Sequence, residues 1–171
     1  MYKIITDTHL GHTNLEKSCE RETDATSKIM KNLELLKEQD ILIHLGDVCF
    51  GNDKYWHTQI VNLQPKRKIL VLGNHDKKSL SWYFNIGWDM VVNRFDLKVY
   101  GTHIAFSHEP LYAGDFELNI HGHIHNNIRY YNPSTIHKLI YIEHHYNAIS
   151  LQKIVEGKYH NQDDVVGSLS N

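Results

Sequence analysis

The stretch Lys68-Ile69-Leu70-Val71-Leu72-Gly73-Asn74-His75-Asp76 sets the reading of this chain. Its apolar run is short and bounded by turn residues, which favours a strand over a helix. It ends in Asn, His and Asp, side chains that can hold metals or move protons. The pattern recurs. Ile4-Ile5-Thr6 runs into Asp7-Thr8-His9, and Ile41–Leu45 into Gly46-Asp47. Ile104-Ala105-Phe106 runs into Ser107-His108-Glu109-Pro110, and Leu118-Asn119-Ile120 into His121-Gly122-His123-Ile124-His125. Five strands therefore carry Asp, Asn or His at their carboxyl ends, where open α/β sheets place ligand sites. Chance explains one or two such placements, not five.

Working outward, the expected strands are Lys3–Thr6, Ile41–Leu45, Lys68–Leu72, Met90–Val92, Leu97–Tyr100, His103–Ser107, Leu118–His121 and Leu139–Glu143. Ile29, Leu33 and Leu36 recur at helical spacing within Asp24–Gln39, with Thr23 or Asp24 as N-cap. Tyr55–Leu63, with Trp56, Ile60 and Leu63 inward, reads as a second helix and Ser79–Asn85 as a third. Ser150–Tyr159 reads as a C-terminal helix. Strand–helix–strand order in the first half predicts parallel pairing with crossover helices. Strand–turn–strand order in the second half predicts hairpins. The fold class is mixed α/β.

The chain has 171 residues, one domain's worth, with 41% hydrophobic and 22% charged residues, so a disordered chain is excluded. Residues 1–161 read as a single domain and 162–171 as a polar, frayed tail. No apolar run approaches the roughly 18 residues of a membrane span, so no membrane partner is expected. The start, Met1 to Asp7, turns polar too quickly for a signal peptide. Cys19 and Cys49 make no disulfide framework, so a cytoplasmic location is expected. A net charge of −2 gives no polybasic footprint, so no stable nucleic-acid complex is expected. The oligomeric state is not legible.

Fourteen histidines stand out. Imidazole, carboxylate and amide oxygen without thiolate suit Mn²⁺, Fe or Zn²⁺. A single catalytic zinc uses about three protein ligands. The strand-end residues here offer more ligands than that, about seven, and instead fit two ions sharing one carboxylate. Two metals in such proximity are the standard clamp for in-line phosphoryl displacement.

The series Asp7-x-His9, Gly46-Asp47, Gly73-Asn74-His75-Asp76, Ser107-His108 and Gly122-His123-x-His125 resembles the calcineurin-like metallophosphoesterases, all five blocks in the family's order. The opening Asp7-Thr8-His9-Leu10-Gly11-His12 is similar to a small, cap-free bacterial or phage subgroup. The resemblance implies a sandwich of two mixed β-sheets flanked by helices. It implies that Asp7, His9 and His125 hold one metal and that Asn74, His108 and His123 hold the other. Asp47 bridges them. His75 then faces the phosphate as a charge stabiliser or general acid, and Asp76 fixes its ring tautomer. Mn²⁺ is the leading expectation for both ions, with Fe, Zn or Ni as alternatives.

Blander readings compete at each position. Asp7 could be a turn cap, Gly46-Asp47 an ordinary tight turn, and Asn74 a left-handed turn residue; only the joint pattern lifts all of them to ligands. His123 and His125 alternate and so share one side of an extended segment. His12 is a candidate substrate contact, or a cap. His44 and His121 read as satisfied interior residues, and His57, His103, His137, His144, His145 and His160 as surface or strand-face residues. Arg21 and Arg129 are the arginines nearest the motifs and candidate phosphate contacts. Trp82, Tyr83, Phe84 and Trp88 read as core or interface packing, with a nucleobase-stacking wall as the rival.

The expected function is a dinuclear metal-dependent phosphoesterase acting on a small phosphate ester, with a phosphodiester of nucleotide or small-molecule type favoured. The alternatives are a phosphomonoesterase or nucleotidase at the same site, and a non-catalytic binding module of the same fold. A nuclease would need a basic groove or an added domain.

Overall fold

The computed structural model describes residues 1–15, 19–127, 134–143 and 145–159. Arg129, His144, His160 and the tail 162–171 therefore lie outside the described residues. Strands β1 (Tyr2–Ile5), β2 (Ile41–His44), β3 (Arg67–Val71) and β4 (Met90–Val92) pair in parallel. The short β9 (Ile149–Ser150) joins β1 antiparallel, giving the order β4-β3-β2-β1-β9. The second sheet has the order β5-β6-β7-β8, from β5 (Arg94–Val99), β6 (Thr102–Ser107), β7 (Leu118–His121) and β8 (His137–Leu139). Both sheets are mixed.

The first sheet is covered on both faces, which is why its strands read as nearly continuous apolar runs. Successive side chains alternate between faces. Ile4, Ile43 and Val71 meet Ile104, Phe106 and Ile120 of the second sheet in one buried cluster. Ile5, Leu42 and Leu70 face the other way, onto α1 (Ala25–Leu33), α2 (Asp53–Val61) and α3 (Leu80–Ile86). The layers run helices, sheet, sheet, and α4 (Leu151–Val155) packs Leu151 and Ile154 into the sandwich. No helix among the described residues is long and apolar enough to cross a membrane.

Several boundaries differ from expectation. The first helix stops at Leu33 rather than Gln39 because Asp40 takes over: its carboxylate accepts from the Lys37 N–H at 3.0 Å and closes a turn. Leu36 is still buried, from that turn. Asp24 occupies the N-cap position but its side chain caps nothing, whereas the Ser79 hydroxyl accepts from the Trp82 N–H at 3.3 Å and starts α3.

The larger correction concerns the second half. Among the described residues only β5 and β6 form a hairpin, turning at Tyr100 and Gly101, both at positive φ (51° and 76°). β6–β7 and β7–β8 are parallel. The connections 108–117 and 122–136 are long enough to carry the chain back to its starting edge. That return puts the ends of β6 and β7, with His108 and His121–His125, on the same rim as the ends of β1, β2 and β3.

Candidate metal centre

The loops beyond β1, β2 and β3 are laced together before any side chain is considered. The N–H groups of Asp7, His9 and Leu10 donate to the carbonyls of Gly46, Asp47 and Val48 at 2.9–3.0 Å. The Asp76 carboxylate accepts from the N–H groups of Asp47 (2.8 Å), Gly73 (2.9 Å) and Val48 (3.3 Å). Asp76 thus braces the backbone of two loops instead of orienting the His75 ring. Burial pushes its pKa up to about 6, against the pull of those donors.

Non-glycine residues at positive φ are uncommon. Nine occur among the described residues, and five of them are Asp7 (49°), His9 (41°), Asp47 (55°), His123 (69°) and His125 (53°). Strain of this kind persists where the surrounding structure over-determines it, and it clusters at functional sites. Packing enforces it here. A Cβ on Gly122 would collide with the Thr6 hydroxyl and the Asp7 carboxylate, and one on Gly73 with the Asp47 carboxylate.

All seven proposed ligands meet on this rim. Nε2 of His108, Nδ1 of His123 and Oδ1 of Asn74 form a triangle with edges of 3.0, 3.0 and 3.1 Å. Donor atoms about 2.1 Å from one ion and at right angles to each other lie about 3.0 Å apart. Asp7, His9 and His125 form a second cluster, and Asp7, Asp47 and His108 a third, each within 4.8 Å. Asp47 Oδ1 is taken by the His75 N–H at 2.8 Å, which leaves Oδ2 between His9 Nε2 (3.5 Å) and His108 Nε2 (3.4 Å). One oxygen there faces both groups of donor atoms.

Electrostatics agree. Burial drives His9 neutral, with a pKa of about 3 despite Asp47, so one of its ring nitrogens has a lone pair free to ligate. Burial opposes charge on His108 too, yet Asp47 and Asp7 raise it to about 9. His125 is partly buried, but hydrogen bonds with Cys19 and Glu143 and the Asp7 charge raise it to about 11. Burial would raise the Asp47 carboxyl, yet His108, the His75 N–H and His9 hold it well below the usual range. The pocket favours positive charge. Asp7 Oδ1 and both His9 ring nitrogens are buried with no hydrogen-bond partner, and such orphans are costly unless something else binds them. The donor set and these unmatched atoms fit a pair of divalent cations.

His75 is exposed at the rim, its ring 5.4 Å from that of His9. His12 stacks on the half-exposed Phe50 at 4.3 Å, and Phe50 also approaches His75 at 6.2 Å. A cleft lined by Leu72, Asn74, Asn93, His108 and Glu109 opens beside the Asn74–His108 edge.

Two sequence readings change, those of His57 and Arg21. His57 is not a surface residue: it is buried and accepts from the Trp88 indole N–H at 3.1 Å. Trp82, Tyr83 and Trp88 pack around it as core, not as a wall for a base. Arg21 is buried against the carbonyls of Asp7 and Thr8 and against Glu143, so it is no surface phosphate contact. Sequence reasoning missed Glu143, whose carboxylate meets His125 Nδ1 at 2.8 Å. His44 is an interior residue bonded to Thr8, as expected.

A sequence model of the calcineurin-like phosphoesterases matches residues 2–164, nearly the whole chain. The chain belongs to the calcineurin-like phosphoesterase family. That family comprises hydrolases acting on phosphate esters. Among solved structures, a protein of unknown function from Aquifex aeolicus is similar, with 26% identity and a TM-score of 0.66 over 91% of this chain and 98% of that one. An archaeal phosphodiesterase aligns at 18% identity and a TM-score of 0.48, over 82% of this chain and 81% of that one. An uncharacterised protein of Methanocaldococcus jannaschii is 29% identical over 80 residues. That match spans 43% of this chain and about half (46%) of the relative.

Proposed function

We propose that this calcineurin-like phosphoesterase is a dinuclear metal-dependent enzyme that hydrolyses phosphodiesters of nucleotide or small-molecule type. The observation that carries the reading is Asp47 Oδ2, set 3.5 Å from His9 Nε2 and 3.4 Å from His108 Nε2, between two groups of ligand atoms. Asp7, His9 and His125 would hold one divalent ion and Asn74, His108 and His123 the other, with Asp47 shared. A bound ion pair supplies Lewis-acid polarisation of the phosphoryl oxygens and a water of lowered pKa. Mn²⁺ is the leading ion, with Fe, Zn or Ni as alternatives.

The chain's own residues do the rest. His75 stands at the rim, where its ring stabilises charge on the phosphoryl group or gives a proton to the leaving oxygen. Its backbone N–H fixes the Asp47 carboxylate. The ring of Phe50, stacked on His12 and half-exposed, offers a planar leaving group a face. This supports a nucleotide-type diester over a bare phosphate ester.

The test is a panel of phosphate mono- and diesters, assayed on chelator-stripped protein reloaded with single metals. Diester hydrolysis that returns with Mn²⁺ and exceeds monoester hydrolysis is the expected result. Monoester preference would make the enzyme a phosphomonoesterase or nucleotidase, and metal uptake without turnover would make it a binding module.

A further inference from the structure

We propose that Glu143, held by Arg21, is a positioning residue that makes the Asp7–His9–His125 half of the centre the tight, first-filled metal site. The proposal rests on the dinuclear reading above. Glu143 Oε1 lies 2.8 Å from His125 Nδ1, which fixes the ring and leaves Nε2 facing Asp7 Oδ1 at 3.8 Å. A carboxylate on the far nitrogen of a ligating imidazole sets its orientation and raises its basicity.

Arg21 extends the lock. One guanidinium meets Glu143 at 2.5 Å and donates to the carbonyls of Thr8 at 2.8 Å and Asp7 at 2.9 Å. It therefore ties the strained loop that carries Asp7 and His9 to the carboxylate that aims His125. Among the described residues the other half shows no such arrangement: His108 Nδ1 meets the neutral carbonyl of Leu45, at 2.8 Å.

The alternative is that this ion pair merely stabilises the fold. Its side chains are 4% and 1% exposed. A buried pair is weak evidence for stability, because desolvating two charges offsets their attraction. This pair is also incompletely satisfied: Arg21 Nε and Glu143 Oε2 are buried without partners. As a stabilising device it is poor. As a device for aiming three ligands from two distant loops it is well placed.

The experiment uses the full chain, stripped with chelator and titrated with Mn²⁺ while free Mn²⁺ is followed by EPR. Wild-type protein should show a tight and a weaker class of bound ion. Glu143→Gln keeps an oxygen for the His125 N–H but removes the charge; it should weaken the tight class by about 10–100-fold and leave the weaker class unchanged. Because this variant also leaves Arg21 without its counter-charge, its metal-free melting temperature should fall. Arg21→Gln combined with Glu143→Gln removes the imbalance and should recover metal-free stability without recovering the tight class. An unchanged tight class in Glu143→Gln would overturn the proposal, as would affinity that recovers in step with stability in the double variant. Wild-type protein that binds no Mn²⁺ would instead overturn the dinuclear reading itself.

Discussion

Replacing His9 by glycine should leave the metal-free protein more stable than replacing it by alanine. His9 sits at φ 41°. Both substitutions delete the same imidazole, so the comparison isolates the Cβ. At an ordinary exposed helix position such as Lys31 in α1, glycine costs about 1 kcal/mol relative to alanine. In the left-handed region the Cβ itself costs roughly 1–2 kcal/mol, while the extra entropy glycine loses on folding is roughly 0.5–1 kcal/mol. The difference should therefore reverse sign, favouring glycine by about 0.5–1 kcal/mol at position 9. His123, at φ 69°, should behave in the same way. The assay is urea unfolding with chelator present, comparing glycine and alanine at positions 9, 123 and 31. If alanine exceeds glycine at positions 9 and 123 by the margin found at position 31, the ligand loops are unstrained, and strain cannot mark this rim as functional.

Asp47→Asn should cut metal uptake at both halves together, because the oxygen facing His9 and His108 loses its charge; elemental analysis of loaded protein showing both ions retained would contradict the bridge. His75→Ala should keep its metals yet lower turnover by about 10²–10⁴-fold, and metal loss in proportion to activity would make His75 a ligand. Phe50→Ala should raise KM for nucleotide diesters roughly 10-fold, the low end of a base-stacking contact, with methyl diesters unaffected; equal effects on both would remove Phe50 from leaving-group recognition. His57→Asn should flatten the acid side of the stability profile. Burial lowers the His57 pKa from 6.5 to about 4, so on acidification the unfolded chain takes the proton first. Wild-type stability is then complete above pH 6.5 and falls by up to about 3 kcal/mol toward pH 4, which should appear as a pH-dependent gap in urea midpoints; a constant gap would refute a neutral buried His57.

The first sheet was legible because its order follows from local rules. Short apolar runs separated by helical patterns leave parallel pairing with crossover helices as the simplest arrangement. The second sheet was misread because strand–turn–strand order is silent about whether a connection turns back or crosses over. Only the Tyr100-Gly101 turn is tight enough to force a hairpin. His57 was misread for a related reason. Its partner, Trp88, lies 31 residues away, and nothing in the helix around it marks the histidine as an acceptor for a buried indole.

The motifs that gather on this rim were legible because each pairs a strand end with a residue type of narrow chemistry. Glu143 carried no such mark: it follows Tyr141 and Ile142, well past the last motif, and an acidic residue at the end of an apolar run is ordinarily a solvated one. A physical requirement could still have found it. Two rings sharing a metal centre each need an acceptor on the nitrogen they do not use, and a carbonyl or carboxylate must supply it. His108 finds Leu45 on a neighbouring strand end. His125 has no strand neighbour on its far side within the motifs, so its acceptor had to come from the segment after β8, where Glu143 is the buried carboxylate. Arg21 follows from the same reasoning. A carboxylate buried beside His125 needs a cation of its own, and the arginine next along from the His9 loop is the one positioned to supply it.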